Sequence, residues 1–221
     1  MTVVTWKILR VRCSYSSVLI KAFTVLELLS VVAIVGILAA ILIPSLSSSR
    51  ASADRTRTRV QFNQWAGAIG AFRSEYGYYP IFHESNTVNG GADEVNHPFH
   101  DVLAARKRDG SVLTTGSPAA MQNRKLIAFV VFSESVFTEP TSAAPNILRD
   151  AQGTTEIAVL VDRNLDGVIN NTDFGAALPA VRGIRPDATD FPATGVRAGV
   201  AFYSPLPDAS VEVPRFVFSW K

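Results

Sequence analysis

Residues 22–44 read AFTVLELLSVVAIVGILAAILIP, and this stretch decides the fold of the chain. It is apolar except for Ser30, Thr24 and one carboxylate, Glu27, near its start. From Val25 to Leu46 the segment is long enough, at about 1.5 Å of rise per residue, to cross a bilayer core of about 30 Å as a helix. A carboxylate inside hydrocarbon costs on the order of several kcal/mol. Glu27 is therefore expected to have a partner or a function.

This stretch resembles the class III signal of type IV pilins and of the pseudopilins of type II secretion. The matching residues are Phe23, Thr24, Glu27, Leu28, Leu29, Gly36 and Pro44. In that family a prepilin peptidase removes a short basic leader before a Phe, and a Glu lies five residues into the processed chain. The resemblance implies cleavage between Ala22 and Phe23, N-methylation of Phe23, and an assembly role for Glu27. There Glu27 would neutralise the amino group of Phe23 on a neighbouring subunit.

The alternative interpretation is an ordinary signal anchor or a cleavable secretory signal. A secretory signal has an apolar core of about 7 to 15 residues followed by a small-residue cleavage site. Here the apolar run is interrupted only by Ser30 and Gly36 and then continues as helix. The run is therefore expected to stay on the protein. Basic residues both precede and follow it, so charge does not fix the orientation, and a cytoplasmic leader follows from the resemblance alone.

Charge and cysteine content exclude two classes of protein. The chain has 21 Lys and Arg, 19 Asp and Glu, and a net charge of +2. The leader holds four of the basic residues and no acid, which leaves 17 basic and 19 acidic residues, or −2, after processing. No nucleic-acid-binding surface is implied. The only cysteine, Cys13, also lies in the leader, so a disulfide framework is excluded and the resemblance favours pseudopilins over disulfide-closed pilins.

The sequence predicts four segments: a leader over 1–22, the transmembrane half of a long helix over 23–46, its amphipathic half over 47–76, and a globular head over 77–221. Pro44 is expected to bend or locally melt the helix, and Gly77 to end it. The amphipathic half is indicated by an apolar stripe with spacings of 3, 4, 3 and 4. The stripe consists of Phe62, Trp65, Ile69, Phe72 and Tyr76.

The head is predicted to combine a short helix with a small antiparallel sheet. Residues 81–95 are polar and indicate a surface loop, and Pro98 to Arg108 favours a helix. Four strands are predicted at Leu126 to Phe132, Glu156 to Val161, Val196 to Tyr203 and Arg215 to Trp220, the last with one apolar face. The fold class is therefore α+β, with a long N-terminal helix packed on the sheet in a pilin-like layout.

Residues 162–173 have the spacing of a calcium loop. Oxygen-bearing side chains stand at positions 1, 3, 5, 9 and 12, with Gly167 at position 6 and a backbone carbonyl at position 7, as in an EF-hand-type loop. The candidate Ca²⁺ ligands are Asp162, Asn164, Asp166, the carbonyl of Val168, Asn170 and Asp173. The alternative is a β-hairpin that turns at Asp166-Gly167, and the two interpretations can coexist.

Three histidines, His83, His97 and His100, invite a second metal-site interpretation. Their spacing lacks a matching set of acids or cysteines, so they are expected to be exposed loop residues. The sequence also contains no catalytic constellation: no nucleophile in a recognisable turn, no phosphate-binding loop, and no His paired with acids at useful spacing. The chain is therefore not expected to be an enzyme.

The resemblance, with these observations beside it, implies a structural subunit of a type II secretion pseudopilus or a related pilus-like fibre. The resemblance implies a single-pass protein of the bacterial inner membrane with its head in the periplasm. Its expected partners are copies of itself, other pseudopilins, the prepilin peptidase, the assembly platform and membrane lipid. Two alternatives remain: a type IV pilin for adhesion, motility or DNA uptake, and a membrane-anchored calcium-binding recognition module resembling a dockerin.

Overall fold

The structure is a computed structural model that describes residues 24–93, 95–138 and 146–221. The chain divides into two compact units that meet between Ser47 and Ser48. Helix α1, Val25–Tyr76, contributes residues to both units. Its helical assignment continues through residue 44, so the local melting allowed by the sequence does not occur there. The helix ends where Gly77 adopts a φ of 80° and its amide bonds to the Arg73 carbonyl at 2.7 Å, as predicted.

The second unit contains a three-stranded antiparallel sheet in the order β1-β2-β3. Strand β1, Ala158–Val161, pairs with β2, Val200–Pro205, which pairs in turn with β3, Phe216–Phe218. These strands fall inside three of the four segments predicted from the sequence, apart from the last two residues of β2. The fold is α+β, with an apolar N-terminal helix and a small sheet.

The apolar stripe of α1 covers one face of the sheet. Phe62, Trp65 and Ile69 are buried against Val159 and Phe202. The rings of Phe62 and Phe202 stack with centroids 5.4 Å apart. Three residues of the predicted stripe therefore pack on the sheet, as expected, whereas Phe72 and Tyr76 belong to a separate cluster with Val102, Leu113 and Ala119.

The opposite face of the sheet is also covered. Leu160 and Tyr203 point into a second cluster with Ile169, Phe191 and Val196, which belong to the long connection between β1 and β2. Because both faces are buried, the strands are apolar on both sides. The prediction that the last strand has one apolar face is therefore wrong: Val217 packs toward the helix, and Phe218 packs on the other side.

The remaining helices are short. Helix α2 covers Pro98–Ala104, α3 covers Pro118–Gln122, and α4 covers Asn171–Phe174, with one turn of 3₁₀-helix at Glu134–Val136. The helix predicted at 98–108 begins at the expected residue but ends four residues early. Ala105 is left-handed, with a φ of 57°, and Arg106 then pairs with Val112 across a turn. Asp109 and Gly110 lie in that turn, where the Gly110 amide donates to the Lys107 carbonyl at 3.0 Å.

The strand predicted at 126–132 does not form. Leu126 has a φ of 51°, and the amides of Phe129 and Val130 both donate to the carbonyl of Leu103. The buried side chain of Asn123 bonds to both the amide and the carbonyl of Ile127, at 3.0 and 2.7 Å. The backbone of this segment therefore bonds to the side chain of Asn123 and to the end of α2, and not to a neighbouring strand.

Candidate functional site

The start of α1 is closed by reciprocal hydrogen bonds between Thr24 and Glu27. The Glu27 amide donates to Thr24 Oγ1 at 3.2 Å, and the Thr24 amide donates to Glu27 Oε2 at 2.9 Å. This arrangement is a capping box, which satisfies amide donors that have no partner within the helix. Thr-x-x-Glu before an apolar run is its sequence signature, so this role of Glu27 was missed although the signal was present. Ala22 and Phe23 lie outside the described residues.

The apolar part of α1 contributes nothing to the core of the protein. The window Val25–Leu42 has a mean hydropathy of 2.8 and is 0 % buried. It is the one helix in the described ranges that is long and apolar enough to span a membrane. Its exposure separates it from the core helix of a soluble protein. Such a helix near the N-terminus is consistent with a single-pass anchor.

The loop 162–173 is closed by its own acidic side chains. The carboxylate of Asp162 accepts the amides of Asp166 at 3.1 Å and Gly167 at 2.8 Å. At the other end, the carboxylate of Asp173 accepts the amides of Arg163 at 2.8 Å and Asn170 at 2.9 Å. Both carboxylates are buried, with exposures of 1 % and 4 %. The two ends of the loop are thus drawn together around backbone amides.

The other candidate ligands take part in the same network. Asn164 Oδ1 accepts the Asp166 amide at 3.0 Å, and its Nδ2 donates to Asp166 Oδ2 at 2.9 Å. Asn170 caps α4 by accepting from the amide and hydroxyl of Thr172. Val168, whose carbonyl is the predicted ligand, donates its amide to Asp166 Oδ1 at 2.8 Å. All six sequence-predicted ligands therefore belong to one loop.

The donors of this loop suit a hard cation by their chemistry, since every one is an oxygen. Asp162 and Asp173 are buried carboxylates, and the nearest basic residue of the loop, Arg163, bonds instead to Asn86 at 2.8 Å. Buried carboxylates without a cation favour the binding of one. As placed, however, no three His, Cys, Asp or Glu side chains in the described chain form a group that could hold a metal ion. The loop therefore has the donor set but not the assembled geometry of a calcium site.

The hairpin alternative for this loop is wrong. Residues after Asp166-Gly167 do not return along β1, because Val161 pairs with Val200 of β2. Instead, Ile169 bonds in both directions to Val196, at 2.9 and 3.0 Å, and α4 follows. Ile169, at the anchor position 8 of the loop, is fully buried in the second cluster. The last three residues of the loop begin α4, while strand β1 and not a helix precedes the loop, so only the second half of an EF-hand arrangement is present.

The expectation that the histidines are exposed is wrong for two of the three. His83 is exposed, whereas His97 is 0 % and His100 is 6 % exposed. His97 Nδ1 accepts the amide of His100 at 3.3 Å, so its Nε2 carries the proton that bonds to Asn89 at 2.9 Å. His100 Nδ1 donates to Asp101 at 2.9 Å. Burial, with the nearby His100 as a second cause, lowers the pKa of His97 to about 3. The pair holds α2 in place as a structural feature.

Comparison with protein-family models, with curated proteins and with solved structures finds no match for this chain. The family of the chain is therefore not shown, and its function is inferred from its own residues.

Proposed function

We propose that this chain is a structural subunit of a type II secretion pseudopilus or a related type IV pilus-like fibre. The observation that carries the proposal is the exposed apolar helix Val25–Leu42 with a single carboxylate, Glu27, in its first turn. A helix of this kind needs both a membrane and a partner for its acid. The amphipathic half of α1 and the antiparallel sheet on which it packs together form the head of such a subunit.

The capping box leaves Glu27 able to serve this assembly. Its Oε2 accepts both the amide and the hydroxyl of Thr24, while Oε1 accepts no hydrogen bond from the residues that the structure describes. In a medium of low dielectric an unpaired charge is costly and an ion pair is tolerable, so the Phe23 amine of a neighbouring subunit is the proposed partner.

In this proposal a prepilin peptidase cuts between Ala22 and Phe23, and Phe23 is then N-methylated. The subunit remains in the bacterial inner membrane with its head in the periplasm until the assembly platform adds it to a fibre of its own copies and other pseudopilins. A type IV pilin used for adhesion, motility or DNA uptake is the alternative in the same structural class.

The proposal is tested by intact mass and N-terminal sequencing of the full chain extracted from membranes. We expect a protein that begins at Phe23 and carries one methyl group in cells with an active prepilin peptidase. Cells that lack the peptidase serve as the control and should retain residues 1–22. If residues 1–22 remain attached in the presence of the peptidase, the chain is an ordinary signal anchor and the proposal fails.

We also propose that the loop 162–173 binds Ca²⁺ and stabilises the head. The support is an all-oxygen donor set with two buried carboxylates that lack a cationic partner in the loop. Asp162, Asn164, Asp166, Val168, Asn170 and Asp173 are the residues that would hold the ion. This site also supports the second alternative function, a membrane-anchored calcium-binding recognition module.

A further inference from the structure

A cavity with three cationic side chains in its lining lies between the end of α2 and the segment 128–134. Its volume is about 240 Å³. Three cationic side chains, Arg106, Lys107 and Arg108, face one carboxylate, Glu134, and the buried His100 forms part of the wall. The lining therefore has an excess of positive charge, smallest at Lys107 because Asp93 and Asp109 also attract it, and this excess favours an anionic ligand.

Arg108 is the fixed element of this cavity. Its guanidinium lies 3.6 Å from the centroid of the Phe137 ring and bonds through both Nη atoms to the carboxylate of Glu134. Its Nε is buried and has no hydrogen-bond partner. A buried donor left unpaired costs about 1–3 kcal/mol, and native structures contain few of them. The guanidinium therefore has capacity for an acceptor that Glu134 does not supply.

Glu134 is held much less firmly than Arg108. Its side chain is 81 % exposed, against 24 % for Arg108, and it stands on a single 3₁₀ turn. Exposed ion pairs contribute about 0–1 kcal/mol. A ligand with more charge than one carboxylate can therefore displace Glu134 at small cost. In the pair with Glu134, both Nη atoms of Arg108 donate to one carboxylate, which is the bidentate geometry in which a guanidinium binds an oxyanion.

We propose that this cavity, the Arg108 cavity, binds a compact dianion, such as a phosphate group or a small dicarboxylate, in place of the Glu134 carboxylate. Arg108 binds the ligand by its planar fork, and Arg106 and Lys107 supply the remaining positive charge from flexible arms. Glu134 acts as an internal competitor that occupies the site when the ligand is absent. This ligand site does not depend on fibre assembly.

The test is a calorimetric titration of the full chain in neutral detergent with inorganic phosphate and, separately, with succinate, at constant ionic strength. Arg108→Gln should weaken binding at least tenfold, because hydrogen bonds to a charged group contribute about 1.5–3 kcal/mol. Glu134→Gln should tighten binding about two- to fivefold, because an exposed competitor is removed. Arg197→Gln removes an exposed charge elsewhere on the head and should leave the affinity unchanged.

The tightening by Glu134→Gln is the result that a structural defect does not produce, so it decides the question even if Arg108→Gln fails to fold. Binding of phosphate but not of succinate, or the reverse, identifies which dianion the site prefers and supports the proposal. No binding of either probe, equal binding by Arg108→Gln and the unsubstituted chain, or no gain in Glu134→Gln would overturn it. So would an equal loss in Arg197→Gln, because binding would then follow net charge alone.

Discussion

At the residue scale, Glu27 combines two properties, hydrogen-bond acceptance and negative charge. Glu27→Gln keeps the acceptor that closes the capping box and removes the charge, whereas Glu27→Leu removes both. If the charge pairs with the Phe23 amine of a neighbour, both variants should enter the membrane and be processed, and both should assemble poorly beside unsubstituted subunits. The measurement is the yield of fibres from cells that express each variant.

Thr24→Val is the matched control for Glu27. It removes the hydroxyl half of the cap and keeps the carboxylate charge, with an expected loss of about 1 kcal/mol of helix stability and nearly normal fibre yield. If Glu27→Gln assembles normally while Glu27→Leu does not, capping and not charge explains why this acid is present. The ion-pair account would then have to be abandoned.

His97 should make the head sensitive to mild acid. Its pKa is about 3 in the folded state because of burial, against about 6.5 when the chain is unfolded. Below pH 6.5 the unfolded chain binds a proton that the folded chain does not, so the free energy of unfolding falls as the pH drops from 6.5 toward 3. The loss should reach about 2 kcal/mol by pH 5. It can be measured by urea unfolding at a series of pH values.

A pair of variants isolates the effect of His97 from that of other groups. His97→Asn retains an acceptor at the N-cap of α2 but does not titrate, so the slope between pH 6.5 and 5 should become smaller. His83→Asn changes an exposed histidine and is the control substitution. The carboxylates of Asp93, Asp109 and Asp187 have lowered pKa values because they accept hydrogen bonds, so they act only at lower pH. Equal slopes in all three proteins would contradict this account.

The burial of His97 and His100 was not predictable from local sequence. The polar composition of residues 81–95 indicates a surface loop, and the histidines follow it directly. Asn89, the partner of His97, belongs to that loop and reaches the imidazole only once the loop has folded onto α2, whereas Asp101, the partner of His100, is its neighbour in the helix. By contrast, the Thr24–Glu27 cap is fully local, so its sequence signature could have predicted it, although it was missed.

At the scale of elements, the sequence predicted a buried helix face correctly where the apolar residues are periodic, and it predicted a strand wrongly where only composition was available. The stripe of α1 was found because a 3, 4, 3, 4 spacing leaves little choice but a buried helix face. The prediction of a strand at 126–132 was wrong because apolar composition alone does not show which carbonyls will accept the backbone amides of the segment. Asn123 and Leu103 supply the partners there, and neither is part of a strand. The spacing of the loop 162–173 predicted one closed loop. It did not predict that the carboxylates of Asp162 and Asp173 would accept hydrogen bonds from the backbone amides of the loop.

Gly195 fixes the contact between the loop 162–173 and the segment that precedes β2. It has a φ of 80°, and a Cβ there would lie 2.5 Å from the carbonyl oxygen of Ile169. Gly195→Ala should therefore lower the free energy of unfolding by about 2 kcal/mol or more. Gly67→Ala, at an exposed helical position where a Cβ meets nothing within 4 Å, should raise it by about 0.5–1 kcal/mol. Thermal unfolding of the two variants should show shifts of opposite sign, and a neutral Gly195→Ala would contradict the contact.

Calcium should raise the stability of the head if the loop 162–173 binds it. A ligand at a hundredfold excess over its Kd stabilises the folded state by about 2.7 kcal/mol, which corresponds to roughly 5 to 10 °C in melting temperature. The measurement compares melting of the full chain in millimolar calcium and in EDTA. Asp166→Asn, which retains hydrogen-bonding oxygen and loses charge, should reduce the gain.

Asp187→Asn is the control for the calcium experiment. Asp187 also accepts loop amides, from Thr189 and Asp190, but lies outside the loop 162–173, so its substitution should leave the calcium response intact. Identical melting temperatures in calcium and EDTA for the unsubstituted chain would mean that the loop is a structural connection closed by its own amides. The Ca²⁺ proposal would then be withdrawn.

At the scale of the whole molecule, the two units differ in how they place their apolar residues: the second unit buries them in a core, and the first exposes them. The buried apolar core of the described chain begins at Phe62 and ends at Phe218, while every large apolar side chain described between Val25 and Leu42 is at least 48 % exposed. The sheet is covered by α1 on one face and by the β1–β2 connection on the other, both within residues 48–221. The head therefore has a complete core without the anchor.

This division predicts that residues 48–221 fold alone as a water-soluble domain. Their melting temperature should lie within about 3 °C of that of the head in the full chain, because the described part of the removed segment contributes no buried side chain to the core. A chain that begins at Trp65 is the contrasting truncation. It loses Phe62, which stacks on Phe202, and should lose about 3–5 kcal/mol as a consequence. Circular dichroism melts of both fragments in buffer without detergent make the comparison, and a head from residue 48 that unfolds or aggregates would show that the anchor half of α1 is needed for the fold.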